Sequence, residues 1–387
     1  MAGQLIKRGE RTWLVRAFTG RDSEGRRRYY NQTIKGSKKD ADAYLRKILT
    51  AISTGTFIEP SPLTVEDYLD KWLESAARPR VSERTADGYE ALLKRYVREP
   101  LGHIRLDKLQ PLDLQKLYGE MSARGLSARV VRHTHSVLHN ALKQAVKWNL
   151  LLRNPAALVE LPKVQHKERR VLSPDEAATF LQNAEEMPHG LLFEFALISG
   201  MRPEEYLALQ WTDIDVERNT AIVRRALVRR KKQWSFQEPK TARSRRTVFL
   251  PMPLVQKLIT HKRRQFEQRL LAGAFWQAND LVFCSETGTP LSIPNLTYRY
   301  FRPILEKAKL PRIRLYDLRH TCATLLLIAE ENPKVVSERL GHSTIVLTLD
   351  TYSHVLPTMQ KNATARLEKL LYSASGTLLA HKRQSGA

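Results

Sequence analysis

The chain has 387 residues, enough for two or three domains with a sizeable core. It carries 64 Lys and Arg against 40 Asp and Glu, a net charge of +24, which points to a polyanionic partner, most often nucleic acid, although charge alone divides evenly between that and a generally basic or ribosome-associated protein. Its two cysteines, Cys284 and Cys322, set neither a metal-ligand spacing nor a disulfide framework, and no apolar run approaches the ~18 residues of a membrane helix, so neither a metal site nor a membrane partner is expected and the compartment is read as the cytoplasm.

Residues 1–50 hold 13 Lys and Arg against 5 Asp and Glu. TWLVRAF reads as a strand, Asp22-Ser23-Glu24-Gly25 as a turn and RRRYYNQTI as the return strand. Ser37-Lys38-Lys39-Asp40 resembles a capping box that opens a helix to about Leu49. Trp13, Phe18, Tyr29 and Tyr30, interleaved with the charges, need a core, which argues for a folded sheet with one helix rather than a disordered basic arm. AISTGTFIEPSP, residues 51–62, reads as a linker. Helices are then predicted from Thr64, with Val65, Tyr68, Leu69, Trp72 and Leu73 on one face, over about 82–98, from Pro111, and from Ser127 to about Trp148. The last carries Arg129, Arg132, His133, His135, Lys143 and Lys147 among apolar residues. Residues 151–172, with prolines and a charge run, form the expected boundary, after which Ser173-Pro174-Asp175-Glu176 opens a helix. Helices dominate beyond it, apart from strand-like stretches around 219–228, 245–250 and 281–284. The expected architecture is mainly α with small β elements (α+β), in three domains, 1–58, 62–152 and 170–373, with a flexible tail over 374–387.

Five polar residues of the C-terminal half stand in short, distinctive settings. Arg202 lies in ISGMRPEEYLALQWTDID, Lys240 in EPKTARSRRTVFL, Arg319 in LYDLRHTCATL, His342 in RLGHSTI and Tyr352 in TLDTYSHV. Two guanidiniums, an ammonium, an imidazole and a phenol match what is needed to break and remake a phosphodiester without metal. Charge builds on the non-bridging oxygens during attack, and arginine suits that charge because its planar fork binds two oxygens and keeps its proton. Arg202 follows Gly200 and precedes Pro203, at the mouth of a predicted helix, and Arg319 lies in the first turn of a helix begun by Asp317. Residues 224–246 hold ten Lys and Arg and one acid, Glu238, most of them read as phosphate or solvent contacts.

In order and setting these residues resemble the tyrosine recombinase family, the phage integrases. The resemblance runs in domain order along the chain and is strongest over about 190–356. It implies a site-specific recombinase, the integrase of a phage or integrative element, that cleaves and rejoins double-stranded DNA at attachment sites through a 3′-phosphotyrosine, with no ATP, metal or other cofactor. Tyr352 would be the nucleophile, Arg202 and Arg319 the phosphate clamp, and His342 a hydrogen-bond donor to a phosphate oxygen. Lys240 would be the general acid for the departing 5′-oxygen, with Lys231 and Lys232 as alternatives, and Glu205 would orient an arginine or histidine. Residues 1–58 would form an arm-type DNA-binding domain, and 62–152 a core-binding domain that closes on DNA with the catalytic domain. The implied partners are a homotetramer on DNA, a directionality factor and a host DNA-bending protein, at the nucleoid. A last amphipathic helix, with Met359, Ala363, Leu367, Leu370 and Leu371 on its apolar side, would dock on a neighbouring subunit.

One position departs from the family pattern. Tyr316 stands three residues before Arg319, where the family usually has histidine. A phenol is a poor base near neutral pH, so water, His342 or the phosphate itself is left to take the proton from Tyr352. His320 would point about 100° away from Arg319 on a helix and is read as structural. A type IB topoisomerase-like relaxing enzyme and a catalytically decayed DNA-binding regulator are the alternatives; the former yields no recombinant product and the latter no covalent adduct.

Overall fold

The computed structural model describes residues 3–164, 170–230, 233–238, 245–342, 344–352 and 363–372, without the side chains of Leu347, Asp350, Thr351 and Tyr352. The chain divides into two compact units, Met1–Lys167 and Glu168–Ala387.

The first unit opens with an antiparallel sheet, β1 (Gly3–Gly9), β2 (Thr12–Arg21) and β3 (Arg27–Lys35), with Ile6 opposite Leu14 and Val15 opposite Gln32. The edge strand β1 was not foreseen, because GQLIKRG offers only Leu5 and Ile6 as an apolar signal; pairing satisfies the free edge of β2. Helix α1 (Lys38–Ser53) starts in the expected capping box, Ser37 with Asp40, and buries Ala41 and Leu45 against Val15 and Ala17. It runs past Leu49 into the anticipated linker because Ile52 still packs on this small core. The rest of the unit is a bundle of α2 (Val65–Trp72), α3 (Glu83–Tyr96), α4 (Arg98–Leu101), α5 (Pro111–Ala123) and α6 (Ala128–Lys147) around a separate core that includes Tyr68, Leu69, Leu93, Leu114 and Leu138. Thr64 and Asp67 close a second capping box. On α6 the residues Arg129, Arg132, His133, Lys143 and Lys147 form an exposed face, whereas His135 turns inward to meet Tyr118 at 5.7 Å between ring centroids.

The second unit begins with α7 (Pro174–Glu185), opened by a Ser173–Glu176 capping box, followed by α8 (Gly190–Ser199). Helix α8, GLLFEFALIS, is apolar nearly all round and is accordingly buried. Phe180 of α7 and Phe193 of α8 both meet Phe301, at 5.6 and 5.5 Å, and each fully buried side chain of this kind is worth roughly 1.5–3 kcal/mol. After α9 (Pro203–Tyr206), β4 (Ile214–Asp215), β5 (Thr220–Val223) and β8 (Arg246–Phe249) form one sheet in the order β4-β5-β8, while β6 (Ala226–Arg230) and β7 (Gln233–Gln237) pair as a separate ribbon. Helices α10 (Met252–Ala272), α11 (Ile293–Asn295), α12 (Arg302–Lys307), α13 (Asp317–Ile328), α14 (Pro333–Leu340) and α15 (Ile345–Tyr352) follow. The stretch 281–284 is not a strand. Leu281 bridges to Gln210 and Cys284 to Pro290, two different partners, so no ladder propagates. Residues 363–372 are helical, with Leu367, Leu370 and Leu371 exposed. Among the described residues no helix is long and apolar enough to cross a membrane, and no three His, Cys, Asp or Glu are grouped to hold a metal.

Candidate active site

Helix α8 ends at Gly200, whose φ of +64° reverses the chain. A Cβ there would meet Leu340 Cδ2 at 2.8 Å and Cys322 Sγ at 3.1 Å, so glycine is required by both conformation and space. Two residues later Arg202 caps α9. Its backbone N–H donates to Glu205 Oε2 at 2.9 Å and its guanidinium to Glu205 Oε1 at 2.7 Å. Helix α9 has only four residues, so the expected help from a helix dipole is small and the local field comes from side chains.

Glu205 is 4% exposed. Burial pushes its carboxyl pKa up, but Arg246, donating to Oε2 at 2.8 Å, and Arg202 more than offset this and hold it below the usual carboxylate value. Burial likewise works against the Arg202 charge, and Glu205 first, then the nearby Tyr316 hydroxyl, restore it and leave the pKa raised. Tyr316 therefore stands in the site, with its ring 5.5 Å from that of His320.

Arg319, on the first turn of α13, is 2% exposed and donates to the Gly200 carbonyl at 2.7 Å. Its Nη2 is buried and makes no hydrogen bond among the described residues. Burial, then repulsion from Arg202, lowers its pKa to about 10, which still leaves it charged at neutral pH. His342 follows Gly341, the left-handed cap of α14, and its Nδ1 lies 2.8 Å from the Thr348 hydroxyl on α15. Burial first, then Arg319 and Arg202, pushes the imidazole down to about 4, so it is neutral at pH 7. The Gly341 carbonyl accepts from Arg202 Nη2 at 3.4 Å.

Arg202, Glu205, Tyr316, Arg319 and His342, spread over 141 positions of sequence between the first and the last, thus share one neighbourhood. Lys240, Lys231 and Lys232 lie outside the described residues. Tyr352 ends α15, with its side chain outside the description. Arg246 was missed by reading the sequence, since it stands in a run of cations. The available signal was the period of two in RTVF, which puts Arg246 on the same face as the buried Val248. Three guanidiniums, Arg202, Arg246 and Arg319, face one carboxylate, and a phosphodiester anion suits that imbalance.

Residues 170–359 match the phage integrase family, and residues 64–122 match the N-terminal SAM-like domain of phage integrases. An integrase of Streptomyces ambofaciens is 30% identical over 368 residues, which cover 91% of this chain and 92% of that protein. A XerC-like tyrosine recombinase of Caldanaerobacter subterraneus subsp. tengcongensis is 29% identical over 388 residues, covering 94% and 98%. The Tn1549 transposon integrase, solved in complex with a circular-intermediate DNA, has a TM-score of 0.68 at 23% identity over 79% of this chain and 99% of its own. A lambda integrase tetramer bound to a Holliday junction gives 0.56 at 18% identity, covering 88% and 95%. At these identities the structural likeness establishes the fold.

Proposed function

Because the chain belongs to the phage integrase family of tyrosine recombinases, we infer that it is a site-specific DNA recombinase acting through Tyr352. The observation that carries this reading is the meeting of Arg202 and Arg319 beside Gly200, with a buried Nη2 on Arg319 that has no partner among the described residues and a neutral His342 next to both. Such a pair can grip the two non-bridging oxygens of a phosphodiester and stabilise the charge that grows there in the transition state.

In the proposed reaction the Tyr352 oxygen attacks phosphorus, and the bond to the 5′-oxygen breaks. A 3′-phosphotyrosine and a 5′-hydroxyl result, with Lys240 giving its proton to the leaving oxygen. The 5′-hydroxyl of a partner strand then attacks the phosphotyrosine and releases the phenol. One phosphoester replaces another at each step, so no ATP is consumed, and the charge stabilisation is supplied by arginine rather than a metal. Tyr316, beside Arg202, helps hold the clamp's charge instead of serving as a base. The proton of Tyr352 goes to water, His342 or the phosphate.

Residues 1–58 would hold arm sites and residues 62–152 the crossover site, in a homotetramer assembled on double-stranded attachment sites at the nucleoid, with a directionality factor and a host DNA-bending protein. The exposed leucines at 367, 370 and 371 fit docking on a neighbouring subunit. The test is a plasmid carrying two attachment sites. Recombinant products support the reading. Relaxed topoisomers without recombinants would assign a topoisomerase instead.

A further inference from the structure

We propose that Arg246 is a positioning residue for strand cleavage, joining the carboxylate that orients the phosphate clamp to the turn that carries His342. The proposal rests on the recombinase reading above. Arg246 stands at the start of β8, with only 7% of its side chain exposed. Its Nη2 donates to Glu205 Oε2 at 2.8 Å, and its Nε donates to the Arg339 carbonyl at 2.6 Å. Arg339 is three residues before His342, in the last turn of α14. One rigid fork therefore fixes two elements that are far apart in sequence and both adjacent to the clamp.

Space around the guanidinium supports the assignment. A Cβ on Gly341 would lie 3.0 Å from Arg246 Nη1 and 3.1 Å from its Cδ, so the turn is built to let this side chain pass. Gly341 in turn presents its carbonyl to Arg202. Glu205, Arg246, Gly341 and Arg202 so form a closed circuit, and a shift of the fork moves both the clamp and His342. The same strand follows, in sequence, the charged segment that holds Lys240, six positions earlier.

Two variants of the full chain test this, R246M and R246K, on a nicked attachment-site duplex, with DNA binding and covalent adduct measured separately. R246M should bind the duplex within about two-fold of wild type yet form adduct about 100-fold more slowly, the scale of loss seen when reacting groups are misplaced by about 1 Å. R246K, which keeps the charge and loses the fork, should recover part of the rate. The cleavage–pH profile supplies a readout that a purely structural role leaves unchanged. Glu205 faces Arg202 from its own turn, Arg246 from β8 and Arg319 from α13, with Tyr316 reaching Arg202. Loss of one of these cations should move the acid limb of the profile to higher pH in R246M. Should R246M fail to fold, R246K decides through its rate of adduct formation, which should fall below wild type because the fork is lost while the charge is kept. Wild-type rates in the variants, or an unmoved profile in R246M, alongside a normal wild-type adduct, overturn the positioning role alone. No adduct from the wild-type chain overturns the recombinase reading and this proposal with it.

Discussion

Arg202 holds Glu205 twice, through its guanidinium at 2.7 Å and through its backbone N–H at 2.9 Å. The carboxylate is therefore the acceptor for both the α9 cap and the clamp. Removing it in Glu205→Ala leaves the half-buried Arg202 and the buried Arg246 beside each other without their counter-charge. Loss of one partner of a buried ion pair costs about 3–5 kcal/mol, so the urea midpoint should fall clearly. Glu205→Gln, which keeps an acceptor oxygen, should lose less. Equal stability of all three proteins would contradict the buried pairing.

Arg319→Ala and Arg319→Lys should each lower the rate of adduct formation by about 10²–10³, the scale for loss of a donor to developing charge, while binding of attachment-site DNA stays within a few-fold. Lysine fails here because it lacks the fork that reaches the Gly200 carbonyl and a phosphate oxygen together. Parallel loss of binding and cleavage would contradict the clamp role.

His342 makes folding depend on pH. A histidine in an unfolded chain titrates near pH 6.5, and the folded one near 4. Between those values the unfolded chain binds more protons, so stability rises with pH across the window. The contribution is present above about pH 6.5 and is lost as the pH falls toward 4. The melting temperature should drop more between pH 7 and 5 for the wild type than for His342→Gln. An identical drop would contradict the neutral, buried imidazole.

Gly341→Ala tests the left-handed cap. The position has φ of +66°, where a side chain costs about 1–2 kcal/mol, and the new methyl would press on Arg246. A loss of stability larger than the backbone term, together with slower cleavage, is the expected outcome. A change within about 0.5 kcal/mol of wild type, the range of an ordinary surface substitution, would show that the turn is not confined by the arginine.

Much of the fold was legible because its punctuation is local. Ser37, Thr64 and Ser173 each begin a helix with an acid three residues on, and each forms the capping box that this spacing implies. Edge strand β1 and ribbon strand β7 were not legible, since their pairing is set by a neighbour rather than by their own pattern. At the site, Arg202, Arg319 and His342 stood out by their settings, and they meet. Arg246 did not, because a charged run hides which member is turned inward; that depends on the strand's register against β5, where Arg246 lies opposite Val223. The length of α9 was also hidden, and with it the weight of side chains over helix dipole in the field around Arg202.

The central claim is that Tyr352 becomes joined to DNA. The direct measurement is a denaturing gel of the chain incubated with a nicked attachment-site duplex, followed by mass mapping of the adduct. The account predicts a covalent complex on the 3′ side of the break, attached at Tyr352 and lost in Tyr352→Phe. A complex that persists in Tyr352→Phe, or none with the wild-type chain on cognate DNA, would contradict it.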